Sequence, residues 1–294
     1  MPLELPTSLS PSKVSSFTEC ALAFRFSAID RLPDPPTVAT VKGTLVHATL
    51  ERLMLLEPAE RDVAAALGCL VEARTALSDD PEWIELALDT EGEAALVADA
   101  EVLVRRYFEI EDPTTVHPIG IELRMEVELE GLMLRGIIDR LELDADGELV
   151  VTDYKSGRAP TQAFEQSRLG GVHFYAFLCE RLLGRRPSRV QLLYLSDPVA
   201  ITTVPTEQSI RQLERKVRAI WNAIEKACER DDFRPKQSRL CNWCAFQTYC
   251  PSFGGDPDQA REVAATLRSA RAGGEIRLAG GDEGLMALPL ASAG

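Results

Sequence analysis

Between residues 119 and 155 the sequence writes three consecutive strands joined by two turns whose lengths can be read directly. In IGIELRMEVEL, Ile119, Ile121, Leu123, Met125, Val127 and Leu129 alternate with Glu122, Arg124, Glu126 and Glu128, the period of a half-buried strand. Glu130-Gly131 then turns the chain into LMLRGIIDRLEL, which is apolar on both faces and so belongs in the middle of a sheet. A third run, ELVVTDYK, follows Ala145-Asp146-Gly147. Gly147 supplies the left-handed residue that a three-residue loop needs. Such a loop pairs Leu143 with Leu149, Leu141 with Val151 and Asp139 with Asp153, a register that puts like with like in the apolar pairs, as a two-residue loop would not.

The same register sets a problem. Asp153 and Lys155 are two apart in a strand and point to one face, so two carboxylates and an ammonium converge at one end of an otherwise apolar hairpin. Like charges facing each other weaken a sheet, whereas a divalent cation removes the repulsion and prefers carboxylate oxygens. On spacing alone, the plainer alternative stands beside it: an exposed hairpin end at which Lys155 neutralises Asp153.

The rest of the chain reads mainly as helix. LSPSKVSSFTECALAFRF opens with Ser12 as a plausible cap, and KGTLVHATLERLMLLE carries a broad apolar stripe with His47 and Glu51 four apart on one face. Residues 59–112 are rich in Ala, Leu and Glu and predict a helical insertion. A helix from about Val172 ends at Gly184, RVQLLYLSDPVAITTVP reads as a hairpin, and IRQLERKVRAIWNAIEKACE as a long amphipathic helix. The expected fold class is α/β, a mixed α+β sheet flanked by helices. The expected division is 1–56, N-terminal helices with Cys20 and His47; 57–115, a helical insertion that roofs the site; 116–205, the sheet core; 206–253, a helix and a cysteine cluster; and 254–294, a mobile tail.

The formal charge of −14 argues against coating nucleic acid by bulk electrostatics, which needs a positive field. Arginines cluster at Arg181, Arg185, Arg186 and Arg189, and again, with Lys216, at Arg211, Arg215 and Arg218; a solvated helix face is the simpler reading of each. The first residues lack an apolar core flanked by positive charge, and nowhere do 18 apolar residues run together, which predicts a cytoplasmic protein without a membrane partner. Seven cysteines in such a setting read as metal ligands or buried thiols. Cys241, Cys244 and Cys250 form C-x2-C-x5-C, one ligand short of the usual four, with Cys20 the candidate fourth. By spacing a structural Zn²⁺ and an iron–sulfur cluster are comparable, with unpaired thiols a third reading. Cys69, Cys179 and Cys228 fall in helical patterns and read as small buried hydrophobes.

GIIDRLELDADGELVVTDYKSG resembles the signature of RecB-family nucleases in the PD-(D/E)XK superfamily, an Asp on one strand and Asp-x-Lys on the next, and GTLVHATLE resembles the family's upstream Gly-x-x-x-His element. The resemblance runs from about residue 10 to 255. It implies a PD-(D/E)XK, restriction-endonuclease-like core with a helical insertion, and a Mg²⁺- or Mn²⁺-dependent deoxyribonuclease that acts as an exonuclease on DNA ends, chiefly single-stranded, in repair or recombination. Asp139, Asp153 and Lys155 would be catalytic. His47, Asp139, Asp153 and the Tyr154 carbonyl would hold the metal. It further implies a [4Fe–4S] cluster on Cys20, Cys241, Cys244 and Cys250, as in the iron–sulfur branch that includes AddB and CRISPR adaptation nucleases, with Zn²⁺ the alternative. Where the family carries Gln-x-x-x-Tyr, this chain keeps Tyr175, a DNA-contact candidate, but has Gly171 for the Gln; His173 or Gln166 would then contact DNA in its place, with Trp243 a base-stacking candidate. No G-x-x-x-x-G-K-[ST] motif is present, so unwinding would fall to a separate helicase. The departure at Gly171 keeps a second reading open, an iron–sulfur module that binds DNA ends and cuts weakly or not at all.

Overall fold

The computed structural model describes residues 3–272, apart from the side chains of residues 162–170 and 270–272. The expected mobile tail beyond 272 and the side chain of Gln166 lie outside the described residues.

The helices start where short polar side chains can receive free backbone N–H groups. Helix α1 (Pro11–Glu19) is capped by Ser10 rather than the expected Ser12, because Pro11 takes the first helical position, where its missing N–H costs nothing. A short α2 (Ala21–Phe24) runs into a wider turn at Arg25–Ile29. Thr37 and Thr40 cap α3 (Val38–Leu55) reciprocally. Next come α4 (Val63–Leu77), α5 (Pro81–Glu85) and α6 (Thr90–Ile110).

Three strands follow, β1 (Pro118–Leu129), β2 (Leu132–Leu143) and β3 (Leu149–Lys155). Glu130 and Gly131 both have left-handed backbone, as a two-residue hairpin turn demands. In the second hairpin Gly147 is left-handed at φ +75°, and the pairs are Leu143 with Leu149 and Leu141 with Val151, the register expected from a loop of residues 145–147. Helix α7 (Gln162–Leu183) then crosses over to β4 (Arg189–Tyr194), which lies parallel to β3. It starts ten residues before the expected Val172 and ends at a left-handed Gly184. Strand β5 (Val199–Thr203) returns antiparallel, completing a sheet of order β1-β2-β3-β4-β5. Helix α8 (Glu207–Arg230), three short turns between Arg239 and Phe253, and α9 (Pro257–Ala272) close the described chain.

The sheet separates two apolar clusters. On one face Phe24, Phe26, Phe174, Phe177, Leu178, Val217 and Ile224 gather α1, α2, α7 and α8. On the other, Leu45, Leu50, Leu53, Leu70, Leu103 and Tyr107 of α3, α4 and α6 pack with Tyr154 and Leu193. Two glycines permit the close approaches that place the site. A Cβ at Gly136 of β2 would stand 2.8 Å from Leu178 Cδ1 and 3.3 Å from the Tyr175 ring, and one at Gly43 of α3 would stand 3.1 Å from Ser156 Oγ. Helix α7 is thereby drawn onto β2, and α3 onto the end of β3.

Candidate metal centre

The β2–β3 ladder closes at Arg140 opposite Thr152, so the expected Asp139–Asp153 pair is not part of it. Beyond it the strands part, and the free edge of β2 is taken by Leu9, whose N–H and carbonyl bond Met133 and Arg135. In the opening of this fork the Asp139 carboxylate replaces the missing ladder partner, accepting the Tyr154 N–H at 2.6 Å. Asp139 and Asp153 are both buried. Asp153 lies 2.5 Å from Lys155 Nζ, and it accepts the Tyr175 hydroxyl.

From the other side, α3 delivers His47, whose Nδ1 is 3.6 Å from Asp139 and 4.0 Å from Glu122. The Tyr154 ring stands edge-on against the imidazole, centroids 6.0 Å apart. One ligand atom from each of His47, Glu122 and Asp139 lies within 4.8 Å of the others. Glu122 is the residue that the alternating pattern hides, since it reads there as a solvent-facing partner of Ile121. In the structure its backbone is left-handed at φ +45°, a strained state for a non-glycine residue that is typical of functional sites, and the carboxylate is half-buried beside Asp139. One sequence signal pointed to it: the Glu130-Gly131 turn pairs Leu129 with Leu132, and counting back sets Glu122 opposite Asp139.

The charges are unhappy together. Burial first, then repulsion from Asp139, Glu51 and Asp153, lifts the Glu122 carboxyl to about 7. Burial and then Asp153 lift Asp139 to about 6, against the opposing pull of His47, the Tyr154 N–H and Lys155. Burial works to lower the Lys155 ammonium, yet Asp153 and Asp139 hold it above its ordinary value. The Tyr175 phenol is pushed up by burial and by Asp153. An acid set this crowded, with an imidazole and facing an open cleft of about 670 Å³ lined by Thr40, Gly43, His47, Glu51, Glu122, Arg124 and Ser156, has the donor chemistry of a hard divalent-ion site.

Outside this centre the predicted residues are divided. His173 stands two positions from Tyr175, about 200° round the helix, so it does not join the acids; its Nδ1 is buried without a partner among the described residues. Nothing lies within 4 Å of the Cβ position of Gly171. Trp243 is 79 % exposed. Cys20, Cys241, Cys244 and Cys250 are half-buried and free of disulfides. The Lys236 N–H donates to Cys20 Sγ and the Ser238 N–H to Cys241 Sγ, each at 3.4 Å. Burial, and then the charges of Cys20, Cys241 and Cys250, push the Cys244 thiol up against one Phe246 hydrogen bond; Cys244 is therefore within electrostatic reach of each of the other three. Both arginine clusters are largely ion-paired, Arg186 to Glu180, Arg211 to Glu207 and Arg218 to Glu130 and Glu214, as the plainer reading of them expected.

The sequence profile of the PD-(D/E)XK nuclease superfamily matches residues 8–251. The chain belongs to this superfamily. Among known proteins it is similar to the Gene 69 protein of Mycobacterium phage D29, 29 % identical over 266 residues that cover 83 % of this chain and 96 % of the relative. The Gene 69 protein of Mycobacterium phage L5 is 26 % identical over 137 residues, covering 46 % of this chain and 45 % of that one. A crystal structure of a presumed exonuclease from Eubacterium rectale superposes with a TM-score of 0.52 at 13 % identity, over 81 % of this chain and 87 % of that one. The five-stranded mixed sheet with its flanking helices is the superfamily fold. No described helix is long and apolar enough to cross a membrane.

Proposed function

We propose that this PD-(D/E)XK protein is a Mg²⁺- or Mn²⁺-dependent deoxyribonuclease that works as an exonuclease on DNA ends, single-stranded by preference, in repair or recombination and alongside a separate helicase. The observation that carries the reading is the meeting of His47, Glu122 and Asp139 within 4.8 Å, next to Asp153 and its Lys155 ion pair. The acids' raised protonation is the mark of a site short of positive charge. His47, Asp139, Asp153, the Tyr154 carbonyl and, newly, Glu122 would hold the ion. Bound there, it would lower the pKa of a water and absorb negative charge on the phosphate. Lys155, fixed by Asp153, orients the attacking water and stabilises charge on the scissile phosphate; Tyr175 holds Asp153 from the other side.

The four cysteines Cys20, Cys241, Cys244 and Cys250 would hold a [4Fe–4S] cluster with a structural role, with Zn²⁺ the alternative. They combine thiols from both ends of the described chain with backbone N–H groups on two sulfurs. Trp243, exposed at the surface, would stack an unpaired base. The open space at Gly171 favours one second reading, a DNA-end-binding module that cuts poorly for want of a side chain there.

The test is cleavage of end-labelled single-stranded DNA by wild type and Lys155→Ala with Mg²⁺, Mn²⁺ or EDTA. Metal-dependent shortening, reduced about 100-fold or more in the variant, is expected, and the two labels give the polarity. Binding without cleavage by both proteins establishes the second reading, and Gly171→Gln is then the variant that should restore activity.

A further inference from the structure

Behind the fork, on the face away from Asp139, lies a fully buried guanidinium. Arg140 closes the β2–β3 ladder and is 0 % exposed. Its Nη2 donates to Glu111 Oε2 at 3.0 Å and to Thr152 Oγ1 at 3.1 Å, while Nη1 donates to the Tyr154 hydroxyl at 2.9 Å and to the second Glu111 oxygen. Its Nε sits 2.7 Å from Glu142 Oε2, close but not aligned for a hydrogen bond. Glu111 is the residue that ends α6, and it also accepts the Tyr107 hydroxyl at 2.6 Å.

We propose that Arg140 and Glu111 are positioning residues for the metal centre: together they clamp the fork from behind and fix where Asp139, Asp153 and His47 stand. The geometry works through Tyr154, which meets the site at three points. Its N–H is held by Asp139, its ring wedges edge-on against His47, and its hydroxyl is held by Arg140. A buried charge keeps this arrangement because every alternative leaves it unpaired. The bidentate fork of an arginine is rigid enough to set the spacing of two strands, as the flexible point charge of a lysine is not. Through Glu111 the position of α6 enters the same network, so the helical lobe is coupled to the ligands although it supplies none.

The inference rests on the metal-site reading above, and its test separates the two. Mn²⁺ binding to the full chain is followed by electron paramagnetic resonance in wild type, Glu111→Gln, Tyr154→Phe and Glu142→Gln, with thermal unfolding of each. Glu142 touches the same guanidinium but lies on Asp139's own strand and does not span the fork. The expected result is Mn²⁺ affinity weakened about 10- to 100-fold in Glu111→Gln and Tyr154→Phe and within about twofold of wild type in Glu142→Gln, with kcat lowered and the KM for DNA kept. Tyr154→Phe removes one oxygen only, so it reports even where Glu111→Gln fails to fold. Wild-type affinity in Tyr154→Phe, or an equal loss in Glu142→Gln, overturns the clamp while leaving the nuclease reading intact. Loss confined to the two clamp variants, in a wild-type protein that binds Mn²⁺ but does not cut, supports the clamp and overturns the nuclease. A wild type that binds no Mn²⁺ overturns both.

Discussion

Glu122 carries the clearest consequence at the scale of single residues. With carboxyls at about 7 for Glu122 and about 6 for Asp139, against ordinary values of 4.5 and 3.8, the folded protein without metal holds protons that the unfolded chain has already released between about pH 4 and 7. Stability therefore falls as pH rises through that window. Calorimetric melting in EDTA should give a higher Tm near pH 5 than near pH 8, and Glu122→Gln should flatten the profile by raising the Tm at pH 8. Added Mg²⁺ or Mn²⁺ should raise the wild-type Tm strongly at pH 8 and little at pH 5; equal shifts at both would place the ion elsewhere. The sequence made Asp139, Asp153 and Lys155 visible because their spacing follows from one turn and a period of two. It concealed Glu122 because alternation describes regular strands, and a residue with left-handed backbone leaves that rule. The contact between Tyr175 and the Asp153 carboxylate was not legible either, since it depends on how α7 packs on the sheet, and His173, two residues away on the helix, faces elsewhere.

Among the elements, α7 shows where local rules give way to packing. Glycines at 170 and 171 argue against helix there, and that is why the expected start fell at Val172. The crossover between the parallel strands β3 and β4 extends the helix back to Gln162, and the buried faces of Phe174, Phe177 and Leu178 hold its C-terminal half. Gly136 is the other half of that contact. Gly136→Ala puts a methyl 2.8 Å from Leu178 Cδ1 and against the Tyr175 ring, so it should destabilise by about 1–3 kcal/mol through overpacking, seen as a lower Tm, and shift Tyr175 enough to slow cleavage. An unchanged Tm would mean that Leu178 turns aside freely and α7 is not seated by this glycine. By contrast, the turns of the two hairpins and the apolar pairs beside them were legible, since each turn has its own glycine and the β2–β3 apolar pattern favours one register, whereas the parting of β2 from β3 at Asp139 and Asp153 was not.

Considered whole, the molecule is stitched from its ends inward. Leu3 donates to the Cys228 carbonyl, Leu9 borders β2, and Lys236 donates to Cys20 Sγ. A cluster on the four cysteines would fasten the same seam. Anaerobically purified protein should absorb near 400 nm, and Cys20→Ser should lose that band, melt several degrees lower and expose residues 233–255 to protease. A colourless wild type containing one zinc per chain would assign the cysteines to zinc instead. Sequence spacing alone left this choice open, because C-x2-C-x5-C names three ligands and says nothing about the distant residue that joins them.

The seam at Leu3 and Cys228 also sets a clock for synthesis. At a ribosomal rate of roughly 5–20 residues per second, Cys228 is made on the order of ten seconds or more after its partner Leu3. Over that interval and a little beyond it Phe26, which packs on Phe246 and Tyr249 in the finished protein, lacks those partners, whereas Leu9 meets β2 once residue 135 is made. The carboxylates of the metal centre are all translated by residue 155, but the seam that seats their sheet closes last, so a chain arrested before about residue 228 would carry its acids on an unfinished fold and be a substrate for chaperones before it could be an enzyme.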